Sequence, residues 1–281
     1  MEPFVKQEKD GQPTLFTIQS WMDQYPEVTA GFTSRHGGVS KAPYSSLNCG
    51  LHVNDIAEDV IRNRQLLAEA LGQPFESFTY AEQVHSNEVI AVSRQERGMG
   101  RSTRNSAIQA KDAFMTNEPG IFLCAQFADC VPLFFYDPVR QVVALAHAGW
   151  KGTVLNISMA TISAMTHTFG SQPEHIRAAI GPSIGACCYE VDETVAGRVR
   201  EVIPNAEAMS AKRWNVLQEK GNGKFMLNLQ ELNRILMEQA GILSSHIEVT
   251  QLCTSCKSDV FFSHRKEGGM TGRMIAWIAL S

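Results

Sequence analysis

The chain has 281 residues, of which 44% are hydrophobic and 19% are charged, a composition that indicates a globular protein and excludes general disorder. The formal net charge of −4 and the lack of any Lys/Arg cluster exclude a basic surface, so we expect neither nucleic acid nor a membrane as partner. The polar N-terminus does not resemble a signal peptide, and no window of about 18 apolar residues exists, so we expect a cytoplasmic protein.

The N-terminal part combines extended segments with one helix. Residues 15–33 predict strands around a turn at Tyr25-Pro26, and a glycine-rich loop follows at 33–40. Apolar residues at helical spacing predict a helix over 56–71, capped by Asn54 or Asp55 and ended by Gly72.

Residues 94–111 are polar and aperiodic, which predicts an exposed, mobile loop. The apolar runs 121–127 and 131–136 predict buried strands, and a third strand fits 141–147. Thr153 is expected to cap a helix that ends at Gly170.

The rest of the chain alternates between strands and helices. Strands fit residues 176–180, 224–229, 247–252 and 274–280, and helices fit 193–203 and 230–240. This interleaving predicts an α+β fold with a largely mixed sheet. Since no shift in composition marks a boundary, we expect a single domain over residues 1–281.

Two residues near strand ends are candidates for chemistry. His147 ends an apolar strand before a glycine-rich turn, where it would face a cleft or, alternatively, be satisfied by hydrogen bonds in the core. Cys130 lies between two buried strands, where a cysteine is usually an apolar filler. Asp129 beside it needs a partner if buried, and it would either orient a ligand histidine or cap a turn.

The seven cysteines are an odd number, and without an export signal we do not expect a disulfide framework. Cys253-Thr-Ser-Cys256 is a CxxC pair, with His264 eight residues further on. A structural zinc site there would need four protein ligands, and only one such pair exists. We therefore expect reduced thiols near a cleft, with structural zinc as the alternative.

Several stretches, in this order, resemble the YfiH/YlmD family, also called the laccase-domain or multicopper polyphenol oxidoreductase family. They are TSRHGGVS at 33–40, SLNCGLHV at 46–53, QVHS at 83–86, ADCVPLFFYDP at 128–138, AHAGWKGT at 146–153, IGPSIGACCYEV at 180–191, CTSC at 253–256, and FFSHRKEG with TGRMIAWI at 261–278. Cys49 and His264 depart from the pattern, since many relatives have Leu and Tyr there. The resemblance implies one αββα layered sandwich with mixed sheets.

The resemblance also implies that His85, Cys130 and His147 are the catalytic metal ligands, although no short spacing links them. Two histidines and a thiolate suit zinc, and three ligands leave one position open for catalysis. The implied activity is zinc-dependent phosphorolysis of adenosine, inosine, guanosine and methylthioadenosine, together with adenosine deamination. The implied partners are purine nucleosides and phosphate, and the chain is expected to be a monomer or homodimer.

Four further residues are candidate substrate contacts. Arg35, Lys151 and Arg265 would bind phosphate or ribose, since arginine in particular suits oxyanions, and Asn48 would read a hydroxyl or a base edge. By default each is an ordinary surface or turn residue.

Two other activities remain open at this point. Copper is an alternative cofactor, but a multicopper oxidase needs on the order of ten histidines, partly in close pairs, and this chain has eight. A metal-free hydrolase would use Cys130 as nucleophile and His147 as base, which leaves His85 without a role.

Overall fold

The computed structural model describes residues 1–203 and 216–281, and its two larger sheets pack face to face. In spatial order, the first sheet contains β1 Phe4–Gln7, β2 Leu15–Ile18, β3 Val28–Thr33, β15 Met274–Leu280, β7 Phe122–Phe127 and β4 Phe78–Tyr80. The second contains β14 Ile247–Val249, β10 Arg177–Ile180, β8 Val131–Asp137, β9 Val142–Ala148, β6 Ala113–Thr116 and β5 Val89–Ala91. Both sheets are mixed, because β4/β7, β5/β6 and β10/β14 are parallel pairs among antiparallel ones.

The described residues also form six helices. They are α1 Gln19–Gln24, α2 Ala57–Ala70, α3 Trp150–Val154, α4 Ile157–Phe169, α5 Glu193–Val202 and α6 Leu229–Gln239. Short 3-10 turns occupy Phe75–Ser77, Arg104–Ser106, Pro173–His175 and Ser244–His246. A small third sheet joins β11 Glu190–Asp192, β13 Lys224–Leu227 and β12 Leu217–Gly221.

Alternation along β15 shows how the layers form. Ala276 and Ile278 face the core between the sheets, whereas Ile275 and Trp277 face the opposite side, where Leu67 of α2 packs. Successive side chains of a strand point to opposite faces, so one strand serves two apolar layers. On the other side of the molecule, α4 and α6 cover the second sheet. The α+β, αββα layered sandwich expected from the resemblance is confirmed.

The helix predicted over 56–71 is confirmed as α2, with Gly72 in the left-handed region at φ 64°. The cap expected from Asn54 or Asp55 is wrong, because Ile56 is the N-cap residue and no side chain caps the helix. The single helix expected to begin at Thr153 is wrong, because α3 and α4 are separate. Asn156 adopts φ 56° between them and accepts a hydrogen bond from Met159 N, so it caps α4. Asparagine tolerates this conformation and is a strong N-cap.

The segment 94–111 differs from the expected exposed loop. It has no strand, but Ala107 and Ile108 are buried, and Arg64 donates to the carbonyls of Gly100 and Arg101. The segment is therefore tied to α2 by a buried arginine, a contact that leaves no trace in local composition. Residues 15–33 also differ, since α1 lies between the two strands predicted there.

Within the described ranges, no helix combines the length and the apolar character that crossing a membrane requires.

Candidate metal centre and adjoining cavity

Three chain segments bring His85, Cys130 and His147 together. Cys130 directly precedes β8, His147 lies on the neighbouring strand β9, and His85 lies in the loop between β4 and β5. Their ligand atoms all lie within 4.8 Å of one another. Cys130 Sγ is 3.9 Å from His85 Nε2, and the two imidazole centroids are 4.8 Å apart. The trio that the resemblance implied therefore converges in space.

The backbone around the trio adopts unusual conformations. His85 has φ 62° and Asp129 has φ 88°, in a region that residues with a Cβ rarely occupy and that is enriched at functional sites. At Gly149, an added Cβ would lie 2.9 Å from His85 Cδ2 and 3.0 Å from Cys130 Sγ. Glycine is therefore required there to leave room for the imidazole and the thiol.

Asp112 organises the trio, and sequence reasoning missed it. Its buried carboxylate accepts hydrogen bonds from the backbone N–H groups of Val84, His85 and Ser86, at 3.1, 3.0 and 2.7 Å. The same carboxylate lies 2.9 Å from His147 Nδ1. Since a carboxylate only accepts, Nδ1 carries the proton and Nε2 is left free to bind a metal, the usual arrangement behind a metal-binding histidine.

The trio and Asp112 form a strongly coupled set of charges. Burial alone would raise the pKa of Cys130, but the charge of His147 and hydrogen bonds from both histidines outweigh it and lower that pKa to about 6. Burial would lower the pKa of His147, yet the Cys130 thiolate and Asp112 raise it to about 9. Burial likewise opposes ionisation of Asp112, but His147 and Ser86 lower its pKa to about 2. The centre therefore holds a thiolate at neutral pH.

Asp129 has a different role from the orienting one that we considered. It is buried, and its carboxylate accepts hydrogen bonds from Thr254 Oγ1 at 2.6 Å and from Arg265 N at 2.7 Å. Asp129 thus ties the loop before Cys130 to the loop that carries Arg265, and the contact to His147 belongs to Asp112.

A cavity of about 520 Å³ adjoins the trio, within the range of about 300–1,000 Å³ that is usual for small-molecule sites. Two of the predicted substrate contacts, Lys151 and Arg265, line it. Tyr189 and Trp150 contribute aromatic surface, and His264 from the sequence motif lies in the wall as well.

Arg35 and Asn48, the two other candidate substrate contacts, are not among the described residues that line the cavity. Arg35 pairs with Glu267 at 3.0 Å and donates to Ser258 O at 2.6 Å. Its guanidinium therefore links the loop after β3 to the loop at residues 250–273. Asn48 is fully buried, and its Oδ1 accepts from Arg273 N at 2.8 Å. The prediction that these two residues contact substrate is therefore corrected. Their polar groups, which we expected to face a ligand, make hydrogen bonds within the protein instead.

The cavity wall contains further basic side chains that we did not predict, three arginines and one histidine. They are His52, Arg64, Arg104 and Arg273, from four different segments. Burial, followed by the charges of Arg273, Arg104 and Arg64, lowers the pKa of His52 to about 4, so this histidine is neutral at pH 7. His52 and Arg273 lie within the quoted motifs SLNCGLHV and TGRMIAWI, which was the only available signal.

The donor set fits zinc. A thiolate and two imidazoles are zinc ligands, the carboxylate behind His147 fixes the ring, and the three ligands face an open cavity. Copper binds the same donor types, so the donor set suits either transition metal.

Fold and site together define an α+β protein with a His₂Cys metal-binding constellation at a cavity wall. The family model described as multi-copper polyphenol oxidoreductase laccase matches residues 29–281, and the chain belongs to this YfiH/YlmD family. Among its relatives, Purine nucleoside phosphorylase YlmD of Bacillus subtilis (strain 168) is 41% identical over 271 residues, which cover 95% of each chain. Human Purine nucleoside phosphorylase LACC1 is 35% identical and matches 89% of this chain with 55% of its own.

Two solved structures show the same fold. The crystal structure of YlmD from Geobacillus stearothermophilus matches with a TM-score of 0.92 at 38% identity. The Bacillus licheniformis hypothetical protein YfiH matches with a TM-score of 0.91 at 40% identity, and each comparison covers 99% of both chains.

The first prediction concerns Asp112→Asn. The amide would turn an NH₂ group toward backbone N–H donors or toward His147, so we expect zinc affinity to fall about 10–100-fold. Competition with a chromogenic chelator measures this affinity. Asp137→Asn is the matched control, since Asp137 is an equally buried aspartate at the far end of β8. Equal zinc affinity in wild type and Asp112→Asn would contradict the positioning role.

The second prediction concerns the reactivity of Cys130 in metal-free protein. Thiolate is the reactive form, and the pKa of Cys130 is lowered to about 6. Iodoacetamide modification, followed by peptide mass spectrometry, should therefore fall as the pH drops below 6 and stay level between pH 7 and 9. Buried Cys124, whose pKa is raised, should stay unmodified. A Cys130 rate that still climbs tenfold per pH unit above 7 would refute the thiolate assignment.

Proposed function

We propose that this protein is a cytoplasmic, zinc-dependent purine nucleoside phosphorylase that acts on adenosine, inosine, guanosine and methylthioadenosine and also deaminates adenosine. The observation that carries the proposal is the convergence of His85, Cys130 and His147 within 4.8 Å at the wall of a substrate-sized cavity. The names of relatives that match most of the chain support the substrate class.

Zinc in this centre would act as a Lewis acid and lower the pKa of a coordinated water to about 7. Cys130 and His85 would hold the metal from the loops, and His147 would hold it from β9. Asp112 keeps the proton on His147 Nδ1 and thereby keeps Nε2 toward the metal. The protein thus supplies a fixed reaction centre whose ligands do not need to reorganise.

Aromatic side chains suit a purine ring. Tyr189 and Trp150 both line the cavity, and their flat faces allow stacking with a base. The Arg265 guanidinium lies over the Tyr189 ring at 5.1 Å and donates to Glu190 O at 2.7 Å, which fixes the orientation of both side chains. We assign this wall to the nucleoside, with Lys151 as a further contact.

Phosphate fits the cationic wall around His52. Arg273 NH1 donates to the carbonyls of Thr271 and Gly272, at 2.9 and 3.0 Å, which holds its guanidinium at the cavity. Arg104 lies in the same wall and pairs with Glu82. Arginine binds phosphate oxygens through paired charge-assisted hydrogen bonds, and neutral His52 would add an N–H donor.

The family description favours a second candidate, a copper-dependent polyphenol oxidase. In the described ranges, the groups able to hold a metal contain two histidines, His85 and His147. A multicopper centre needs ligands for several copper ions, which these groups do not supply. The donors of the His₂Cys site could also hold a single copper ion. The reaction that we propose for this site is still phosphorolysis.

The product pattern tests the reaction. With adenosine and phosphate, the purified protein should release adenine and ribose 1-phosphate; without phosphate, it should release inosine and ammonia. Cys130→Ala and His147→Ala should lose zinc and both activities together. Chromatography and metal analysis measure these outcomes. Neither product from adenosine would refute the proposal, and activity that survives complete removal of zinc by a chelator would favour a metal-free Cys–His hydrolase.

Arg273→Gln tests the phosphate assignment. A hydrogen bond to a charged group contributes about 1.5–3 kcal/mol, so the KM for phosphate should rise roughly ten- to a hundredfold while deamination without phosphate changes little. Steady-state kinetics against phosphate measure the effect. Arg94→Gln is the control, because Arg94 is an exposed arginine outside the cavity. If the KM for phosphate stayed unchanged in Arg273→Gln, phosphate would bind elsewhere.

A further inference from the structure

A second group of metal-ligand side chains lies outside the His₂Cys centre and has no part in the proposed reaction. Cys187, Cys188, Cys253 and Cys256 place their four sulfurs within 4.8 Å of one another. We propose that these four thiols form a structural zinc site, which we call the Cys₄ site.

The sulfur positions match a tetrahedral ion. Zinc–sulfur bonds of about 2.3 Å in a tetrahedron place neighbouring sulfurs about 3.8 Å apart. The Sγ of Cys256 lies 3.3 Å from Cys187 Sγ and 3.4 Å from Cys188 Sγ. All four cysteines are free thiols. Four sulfur donors and no histidine or carboxylate are typical of a closed structural zinc site.

The backbone around the sulfurs is arranged to support thiolates. Cys253 is buried, and its Sγ accepts hydrogen bonds from Gly185 N at 3.2 Å and Cys256 N at 3.4 Å. Backbone donors to coordinating sulfur are outer partners of the kind that orient metal ligands. A Cβ at Gly185 would lie 3.3 Å from Cys187 Sγ and 3.5 Å from Cys253 Sγ, so glycine allows this close approach.

The site explains how two long loops are held together. Residues 250–273 contain neither helix nor strand, and loops of more than about 12–15 residues without such elements are uncommon in compact domains. This loop meets residues 181–189 at the single bridge between Ser183 and Cys253. A metal held by two cysteines from each loop would cross-link the two loops beside this bridge, where few backbone hydrogen bonds join them.

The cross-link would also position the catalytic cavity. Tyr189 follows Cys188 directly, and Arg265 lies on the other loop. Thr254, between the two cysteines of the CxxC pair, donates to Asp129, the residue before Cys130. The Cys₄ site therefore anchors both the aromatic wall and the loop of a catalytic ligand.

The proposal also corrects the ligand set considered for CxxC. His264 does not belong to the four-cysteine group and instead lines the cavity. The two ligands that the CxxC pair lacked come from the adjacent pair Cys187-Cys188, which precedes β11.

Metal stoichiometry on the full chain tests the proposal. Protein purified under reducing conditions with zinc, then freed of loose metal, should hold two zinc ions per chain. Cys256→Ser and Cys187→Ser should each hold one, and Cys130→Ala should also hold one, because it keeps the Cys₄ site. Cys49→Ala is the matched cysteine control and should keep two, since Cys49 is buried and belongs to neither group.

Two measurements on Cys130→Ala keep the test decisive if a Cys₄ variant fails to fold. Cobalt in place of zinc should give the strong thiolate charge-transfer and visible bands of a tetrahedral sulfur site. Zinc should also protect Lys257 and Arg265, which lie in the cross-linked loop, from trypsin. The proposal is overturned if wild type binds one zinc that disappears in Cys130→Ala. It is also overturned if two of the four cysteines form a disulfide in protein kept under reducing conditions. Mass spectrometry would show that disulfide as a loss of two hydrogens.

Discussion

The candidate centre depends on the hydrogen bonds that the buried carboxylate of Asp112 accepts. This carboxylate accepts from three consecutive backbone N–H groups at residues 84–86 and from His147 Nδ1. A buried charge without partners would be costly, and here every partner belongs to the site. The carboxylate therefore sets the conformation of the loop that carries His85 and the tautomer of His147 together. Without this anchor, two of the three ligands would lose their orientation.

The sheets supply rigidity, and the loops supply chemistry. β8 and β9 form an antiparallel pair whose ends carry Cys130 and His147, so one backbone ladder positions two of the candidate ligands. Tyr80 of β4 and Gln126 of β7 also line the cavity, and other parts of its wall come from segments outside the sheets, including residues 250–273. Asp129 and the proposed Cys₄ site compensate for the missing backbone ladders, because they tie these loops to each other and to Cys130.

The charge distribution inside the cavity differs from that of the whole chain. The formal net charge is −4, yet one cavity is lined by five cationic side chains, Arg64, Arg104, Lys151, Arg265 and Arg273, against two acidic ones, Glu82 and Asp129. An anionic substrate such as phosphate would be attracted to these side chains. The metal centre would act at the part of the cavity wall that contains Cys130. Net charge excluded a broad basic surface but carried no information about this local concentration, since the contributing residues are scattered along the chain.

Local patterns in the chain were enough for the α+β class, for the helix at α2 and for the strand ends that carry Cys130 and His147, because apolar alternation and helical spacing involve neighbouring residues. The layered sandwich came from the motif resemblance. Motif resemblance added His85, which no periodicity marks. Folding, in contrast, establishes that Asp112 and not Asp129 contacts His147, that Arg35 and Asn48 make internal hydrogen bonds, and that Cys187-Cys188 lies beside the CxxC pair. Those contacts join residues far apart in the chain, where each partner's role depends on what folding places beside it.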